Sequence, residues 1–286
     1  MDRIIIIMFE YASTRIILAL LMAIVPAVLW GLYFFKKQPQ TRNLVIKLFI
    51  AGGVSVAPLL LYKYLWQFFP WINAFTYANN YSDDMIGFAN VTLLPLSVLL
   101  TFMIVGIIEE IAKYAAVKNI HHKHACSITD CMEYFIIVAI GFAFVENIIY
   151  FTNIMQVRGV EEVMLPFIFR SLFSSFAHIM FSGILGYYYG LAHFAAPVLQ
   201  EEWNQKDWTT IRTIAKTIGI KKEILFHHEK IIQGLLTAIG LHAIFNILLE
   251  MNWTFLIVPF LTAGFIVLTM LFDNKHVDKN YYCIED

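Results

Sequence analysis

Apolar stretches of about 20 residues, the length a helix needs to cross the hydrocarbon core of a bilayer, recur along this chain and leave it few ways to fold. In lipid the backbone must bond to itself, and a helix does so within a single segment. The expected fold class is therefore all-α: a polytopic membrane helix bundle with about seven transmembrane helices. It forms a single integral membrane domain over residues 1–286. Composition agrees, since 59% of the residues are hydrophobic and 14% charged, where a soluble domain carries about a quarter charged. A formal net charge of −1 offers no basic surface to nucleic acid. The partner this implies is the lipid bilayer, and the location is the cell membrane.

The expected spans cover residues 16–35, with Pro26 inside, and 44–66, with Gly52, Gly53 and Pro58. The others cover 91–117, 132–152, 167–193, 230–249 and 253–272. Aromatic residues of the loop after the second span (Phe68, Phe69, Trp71 and Phe75) suit the headgroup boundary. No small-x-small cleavage site follows the first apolar run, so it reads as retained. No internal repeat is visible.

Orientation follows from Lys and Arg. An outside N-terminus places Lys36, Lys37, Arg42, Lys47, Lys118, Lys123, Lys206, Arg212, Lys216, Lys221, Lys222, Lys230, Lys275 and Lys279 on the inner side. Only Arg3, Arg15, Lys63, Arg158 and Arg170 then fall outside. The longest inner connection, within 197–229, spaces Trp203, Trp208, Ile211, Ile214 and Ile218 in near-helical register with basic residues between them. It reads as a cytoplasmic or interfacial amphipathic insertion. Cys126, Cys131 and Cys283 form no disulfide framework. The first two lie near His121, His122 and His124 in a basic inner loop.

Chemistry concentrates where lipid should forbid it. The third span carries Glu109, Glu110 and Lys113, at roughly 3 kcal/mol for each ionised group near a helix centre. Lys113 reaches back to both carboxylates at helical spacing and can neutralise one of them. The fourth span carries Glu146 and Asn147, one turn after Phe142, with Gly141 allowing close approach of another helix. In the fifth, Arg170, Ser174, His178, Ser182, Gly186 and Gly190 fall at four-residue steps. Gly234, Ala238, His242, Asn246 and Glu250 do the same in the sixth. The glycines read as helix-packing positions. The acids and imidazoles of four separate spans, 91–250, read as a catalytic core.

Amide hydrolysis needs an activated water, donors for the developing oxyanion and an acid for the leaving amine. A glutamate in a partly dry pocket serves as base and then acid. Neutral imidazole and an asparagine amide donate to the oxyanion. The candidate catalytic residues are therefore Glu109, Glu110, Glu146, His178, His242 and Asn246, supported by Lys113, Asn147 and Ser182. Glu109, Glu110, Glu146, His178 and His242 are also chemically able to bind zinc, although no His-Glu-x-x-His helix is present.

These motifs resemble those of the PrsW family of intramembrane proteases, related to the CAAX-protease and bacteriocin-processing superfamily. The pattern is Glu-Glu-x-x-Lys (Glu109, Glu110, Lys113), then Phe-x-x-x-Glu-Asn (Phe142, Glu146, Asn147), then His-x-x-x-Ser (His178, Ser182), then His-x-x-x-Asn (His242, Asn246). The resemblance implies a protease acting on membrane proteins, with anti-sigma factor cleavage the best-known role in the family. By analogy with CAAX endopeptidases, Glu109 is the base, Glu110 orients it, and His178, His242 and Asn246 polarise. The CAAX-type branch has histidine where this chain has Glu146. Buried acids and histidines also build proton-coupled transporters, and a catalytically silent scaffold could keep the fold; turnover of a membrane-tethered peptide separates the enzyme from both.

Overall fold

The computed structural model describes residues 2–35, 42–88, 92–121, 127–194 and 222–273. In chain order the helices are α1 (Asp2–Phe35), α2 (Arg42–Val54), α3 (Ala57–Phe68), a short α4 (Ala74–Asn79), α5 (Leu96–His121) and α6 (Ile128–Val157). Then come α7 (Met164–Phe169), α8 (Ser175–His193), α9 (Lys222–Glu250) and α10 (Ile257–Phe272). A small antiparallel hairpin, β1 (Met85–Phe88) with β2 (Thr92–Pro95), sets Met85 opposite Pro95 just before α5.

Six segments are long and apolar enough to cross a membrane: Ser13–Phe34, Arg42–Phe68, Ile128–Val157, Glu161–His193, Ile224–Glu250 and Thr254–Phe272. The chain is thus an all-α, multi-pass membrane protein. The expected seventh, α5, is 26 residues long, but Glu109, Glu110 and Lys113 at its middle take it out of that apolar set. It also begins at Leu96 rather than at residue 91, because Thr92–Pro95 pair as a strand. Glu109 therefore stands midway along α5, not near the inner end that a 91–117 span implies. The amphipathic insertion lies outside the described residues up to 221, and from Lys222 the chain is already α9. His122, His124, Cys126 and Cys283 also lie outside them, whereas Cys131 is buried in α6.

The bundle is arranged around α6, in which every residue from Cys131 to Ala143 is buried. Helices α1, α2 and α8 pack along it; α9 packs on α8 and α5, and α5 touches α6, so α5, α6, α8 and α9 enclose one region. Apolar burial drives little between helices in lipid, so close packing must hold them. Glycines supply it. A Cβ on Gly52 of α2 would fall 2.1 Å from the Val138 carbonyl oxygen of α6, and one on Gly141 of α6 would fall 2.1 Å from that of Phe49. Gly186 and Gly190 do the same for α8 against Met132 and Ile128 of α6.

Two interruptions shape the helices. The second span breaks at Ser55, whose hydroxyl donates to the Gly52 carbonyl at 2.6 Å. Pro58 then sits in the first turn of α3, where its missing N–H costs nothing. Between α7 and α8, Arg170–Ser174 form a π-turn. The Ser175 N–H reaches back to the Arg170 carbonyl, and its hydroxyl donates to the same oxygen at 2.9 Å. One extra residue in the turn shifts the register, so the four-residue row expected from Arg170 to Gly190 holds only from His178 onward. Trp30 of α1 braces this turn by donating from Nε1 to the Ser171 carbonyl at 2.9 Å.

Candidate active site

Glu109, Glu110 and Lys113 project from the middle of α5 and are all buried. Glu110 Oε1 accepts from Lys113 Nζ at 2.7 Å and from His242 Nδ1 of α9 at 2.8 Å. Lys113 Nζ also lies 3.1 Å from His178 Nδ1 of α8. His178 Nε2 lies 2.9 Å from Glu146 Oε2 of α6. His242 Nε2 faces Glu109 Oε2 across 3.6 Å. Contacts thus link Glu109, Glu110, Lys113, His242, His178 and Glu146 across all four helices, and Asn246, Asn147 and Ser182 stand outside this chain.

Partner chemistry fixes the histidine tautomers. A carboxylate only accepts, so the 2.8 Å contact with Glu110 places the His242 proton on Nδ1 and turns the Nε2 lone pair toward Glu109. An ammonium only donates, so Lys113 makes His178 Nδ1 an acceptor, and the His178 proton sits on Nε2 facing Glu146. In each case a carboxylate sets the tautomer and ring orientation, as outer partners of catalytic and metal-bound histidines commonly do.

Charge bookkeeping singles out one pair. Glu109, Glu110 and Glu146 face two permanent cations, Lys113 on Glu110 and Arg170 on Glu146 at 2.8 Å. One negative charge is left on the Glu109 side of the cluster. Oε2 of Glu109 is buried with no hydrogen-bond partner among the described residues, as is Oε2 of Glu110. Two acceptors, Glu109 Oε2 and His242 Nε2, thus face each other across a gap that only a proton, a donor or a cation can satisfy.

Aromatic rings line the cluster. Phe142 covers Lys113 at 4.3 Å from ring centroid to Nζ and lies 5.3 Å from the His178 ring. Phe181 stacks on His242 at 5.3 Å. Asn147, one residue from Glu146 and facing another way, holds Arg170 and Ser175 instead of joining the reacting pair. Asn246 lies half-buried one turn beyond His242 and takes no part in the hydrogen-bond chain. Ser182 is buried one turn after His178, with its hydroxyl unpartnered among the described residues.

Sequence reading missed Arg170, Tyr150 and Ser175 as members of the site. Arg170 ion-pairs with Glu146, donates from Nε to Asn147 Oδ1 at 2.6 Å and lies 4.3 Å over the Tyr150 ring. An arginine inside an apolar span is a signal in itself, and Arg170 heads the four-residue row of the fifth span although it was not among the candidate site residues.

A bundle of lipid-facing helices that gathers carboxylates, imidazoles and their cations in one buried cluster has the equipment of an intramembrane hydrolase. Comparison with known proteins agrees. Residues 40–272 match the model of a family described as PrsW family intramembrane metalloprotease. The chain is 24% identical to Protease PrsW of Bacillus subtilis (strain 168) over 185 residues, 63% of this chain and 71% of that protein. It is 26% identical to Protease PrsW of Oceanobacillus iheyensis over 173 residues (59% and 66%), and 25% identical to that of Geobacillus kaustophilus over 177 residues (60% and 65%). No solved structure matches the chain. The chain belongs to the PrsW family, and it is a multi-pass membrane protease.

Proposed function

We propose that the chain cuts a peptide bond of a single-span membrane protein, such as an anti-sigma factor, with water activated between Glu109 and His242. The observation that carries this reading is the 3.6 Å gap between Glu109 Oε2 and His242 Nε2, two buried acceptors in a cluster one positive charge short of balance. Water there donates to one of them as it attacks, and Glu109 takes its proton. The same proton then passes to the leaving amine, so one group serves as base and acid in turn. His242, with its proton held on Nδ1 by Glu110, keeps Nε2 open to orient the water. Asn246 is the nearest unassigned amide on α9 and is proposed as the donor to the oxyanion. Lys113 neutralises Glu110, which leaves Glu109 as the carboxylate free to titrate.

A second reading rests on its own observation. A Glu109 oxygen and one ring nitrogen from each of His178 and His242 all lie within 4.8 Å of one another. Two imidazoles and a carboxylate are a donor set of catalytic zinc sites, and the unpartnered Glu109 Oε2 suits a ligand. The residues fit a zinc ion, provided His178 gives up its contact with Lys113 or Glu146. Zinc held by Glu109, His178 and His242 would supply Lewis-acid polarisation of the scissile carbonyl. Metal analysis of the purified protein separates the two readings. The first predicts less than about a tenth of a zinc per chain and full activity in chelator. Stoichiometric zinc, with activity lost to chelator and restored by zinc, establishes the second.

The substrate assay uses purified full-length chain in nanodiscs and a library of single-span peptides with randomised juxtamembrane sequence, read by mass spectrometry of new termini. Cleavage is expected near the outer ends of the substrate spans. In the orientation set by Lys and Arg, His242 lies eight residues before the outer end of α9, and His178 stands at the middle of the Glu161–His193 span. Membrane-impermeant maleimide is expected to label Asp83→Cys in intact cells, and Lys123→Cys only after permeabilisation. The opposite labelling overturns the orientation.

A further inference from the structure

We propose that Arg170 is a positioning residue of this site: it holds the Glu146 carboxylate in place, so that Glu146 fixes the His178 ring. The inference rests on the hydrolytic reading above and extends it to a side chain outside the four motifs.

An arginine in a membrane helix needs a partner, and a single ion pair would suffice for that. The surroundings of Arg170 are far more constrained. Its guanidinium binds Glu146 Oε2 at 2.8 Å, its Nε donates to Asn147 Oδ1 at 2.6 Å, and its plane lies over Tyr150 at 4.3 Å. Asn147 Nδ2 donates to Ser175 Oγ at 3.3 Å, and that hydroxyl donates to the Arg170 carbonyl at 2.9 Å. A closed ring thus runs from the side chain of Arg170 through Asn147 and Ser175 back to its own backbone. The π-turn that begins at Arg170 is part of the same ring, and such turns in helices are frequent at functional sites. Trp30 clamps the turn from α1.

Glu146 needs this support. It sits at the open edge of the cluster, with its side chain 29% exposed against 12% for Arg170. Its Oε2 ion-pairs with Arg170 at 2.8 Å and accepts from His178 Nε2 at 2.9 Å. That oxygen receives the His178 Nε2 proton and so aims the ring. Lys113 cannot take over for Arg170, since Glu110 holds it at 2.7 Å. Loss of the guanidinium would leave the Glu146 carboxylate without its ion pair, free to turn outward at the open edge of the cluster. His178 would then lose the contact that aims its ring.

The test is a pair of coupled variants, assayed on the best-cleaved member of the peptide library. R170Q is expected to lower kcat by roughly 10- to 100-fold, the usual cost of losing an outer partner of a site histidine, with KM nearly unchanged. In an E146Q background the same change should have no further effect, because the group through which Arg170 acts is already neutral. Additive losses mean a separate structural role and overturn the proposal. R170K keeps the charge and replaces R170Q in the cycle if R170Q does not fold. Nitrogen-15 spectra of histidine-labelled protein give a readout that needs no substrate, with the His178 signal assigned from H178Q. The wild type should show the His178 proton on Nε2, and R170Q should shift that resonance; an unmoved resonance overturns the proposal. If Glu109→Gln still cleaves, the hydrolytic reading fails, and the spectra judge Arg170 independently.

Discussion

Glu109→Gln should abolish cleavage of the peptide library, by about 10²- to 10⁴-fold for loss of a general base, while the melting temperature in detergent holds or rises. The two halves of this expectation have one cause. Glutamine keeps the size of the side chain but cannot take a proton from water. Glu109 Oε2 has no hydrogen-bond partner among the described residues, and the cluster around it carries surplus negative charge. Neutralising it strands no cation. Its neighbour provides the contrast: Glu110→Gln leaves Lys113, 0% exposed, without its carboxylate, and breaking a buried pair costs about 3–5 kcal/mol. That variant should lose both activity and stability. Equal melting losses for the two glutamines would contradict the assignment of the free carboxylate to Glu109.

Gly141→Leu is expected to be the most damaging single change to assembly. Even the Cβ alone would sit 2.1 Å from the Phe49 carbonyl oxygen, which is backbone and cannot rotate away. α2 must back off α6, and the reciprocal contact of Gly52 with Val138 is lost with it. Overpacking of a tight contact typically costs about 1–3 kcal/mol, and here a whole helix interface is at stake, so the variant should express poorly and fall to protease. Gly240→Ala is the control: nothing lies within 4 Å of a Cβ there, and alanine is the better helix former by about 1 kcal/mol. It should be neutral or stabilising. A well-folded Gly141→Leu protein would show that the α2–α6 crossing is not as close as described.

Much of this was legible in the sequence because lipid penalises charge so heavily. Glu109, Glu110, Lys113, Glu146, His178 and His242 stood out against apolar spans, and helical spacing set each on a face. What they could not show was the pairing. Which carboxylate Lys113 neutralises depends on side-chain rotamers, and Glu110 takes it. The row through Arg170 assumed an uninterrupted α-helix, whereas Arg170–Ser174 form a π-turn. No local spacing rule announces a π-turn. The start of α5 was misplaced because Thr92, Leu93 and Leu94 are as apolar in a strand as in a helix. Asn147 shares Arg170 with Glu146 and also donates to Ser175, partners from another helix that spacing along the fourth span could not reveal.

The central claim is that Glu109 and His242 act on one water as a unit, and comparing kcat for Glu109→Gln, His242→Gln and the double variant tests it most directly. Residues of one catalytic unit are strongly non-additive, so the double variant should be about as slow as the slower single one. Losses that multiply, each variant removing its own independent share of the rate, would contradict the account.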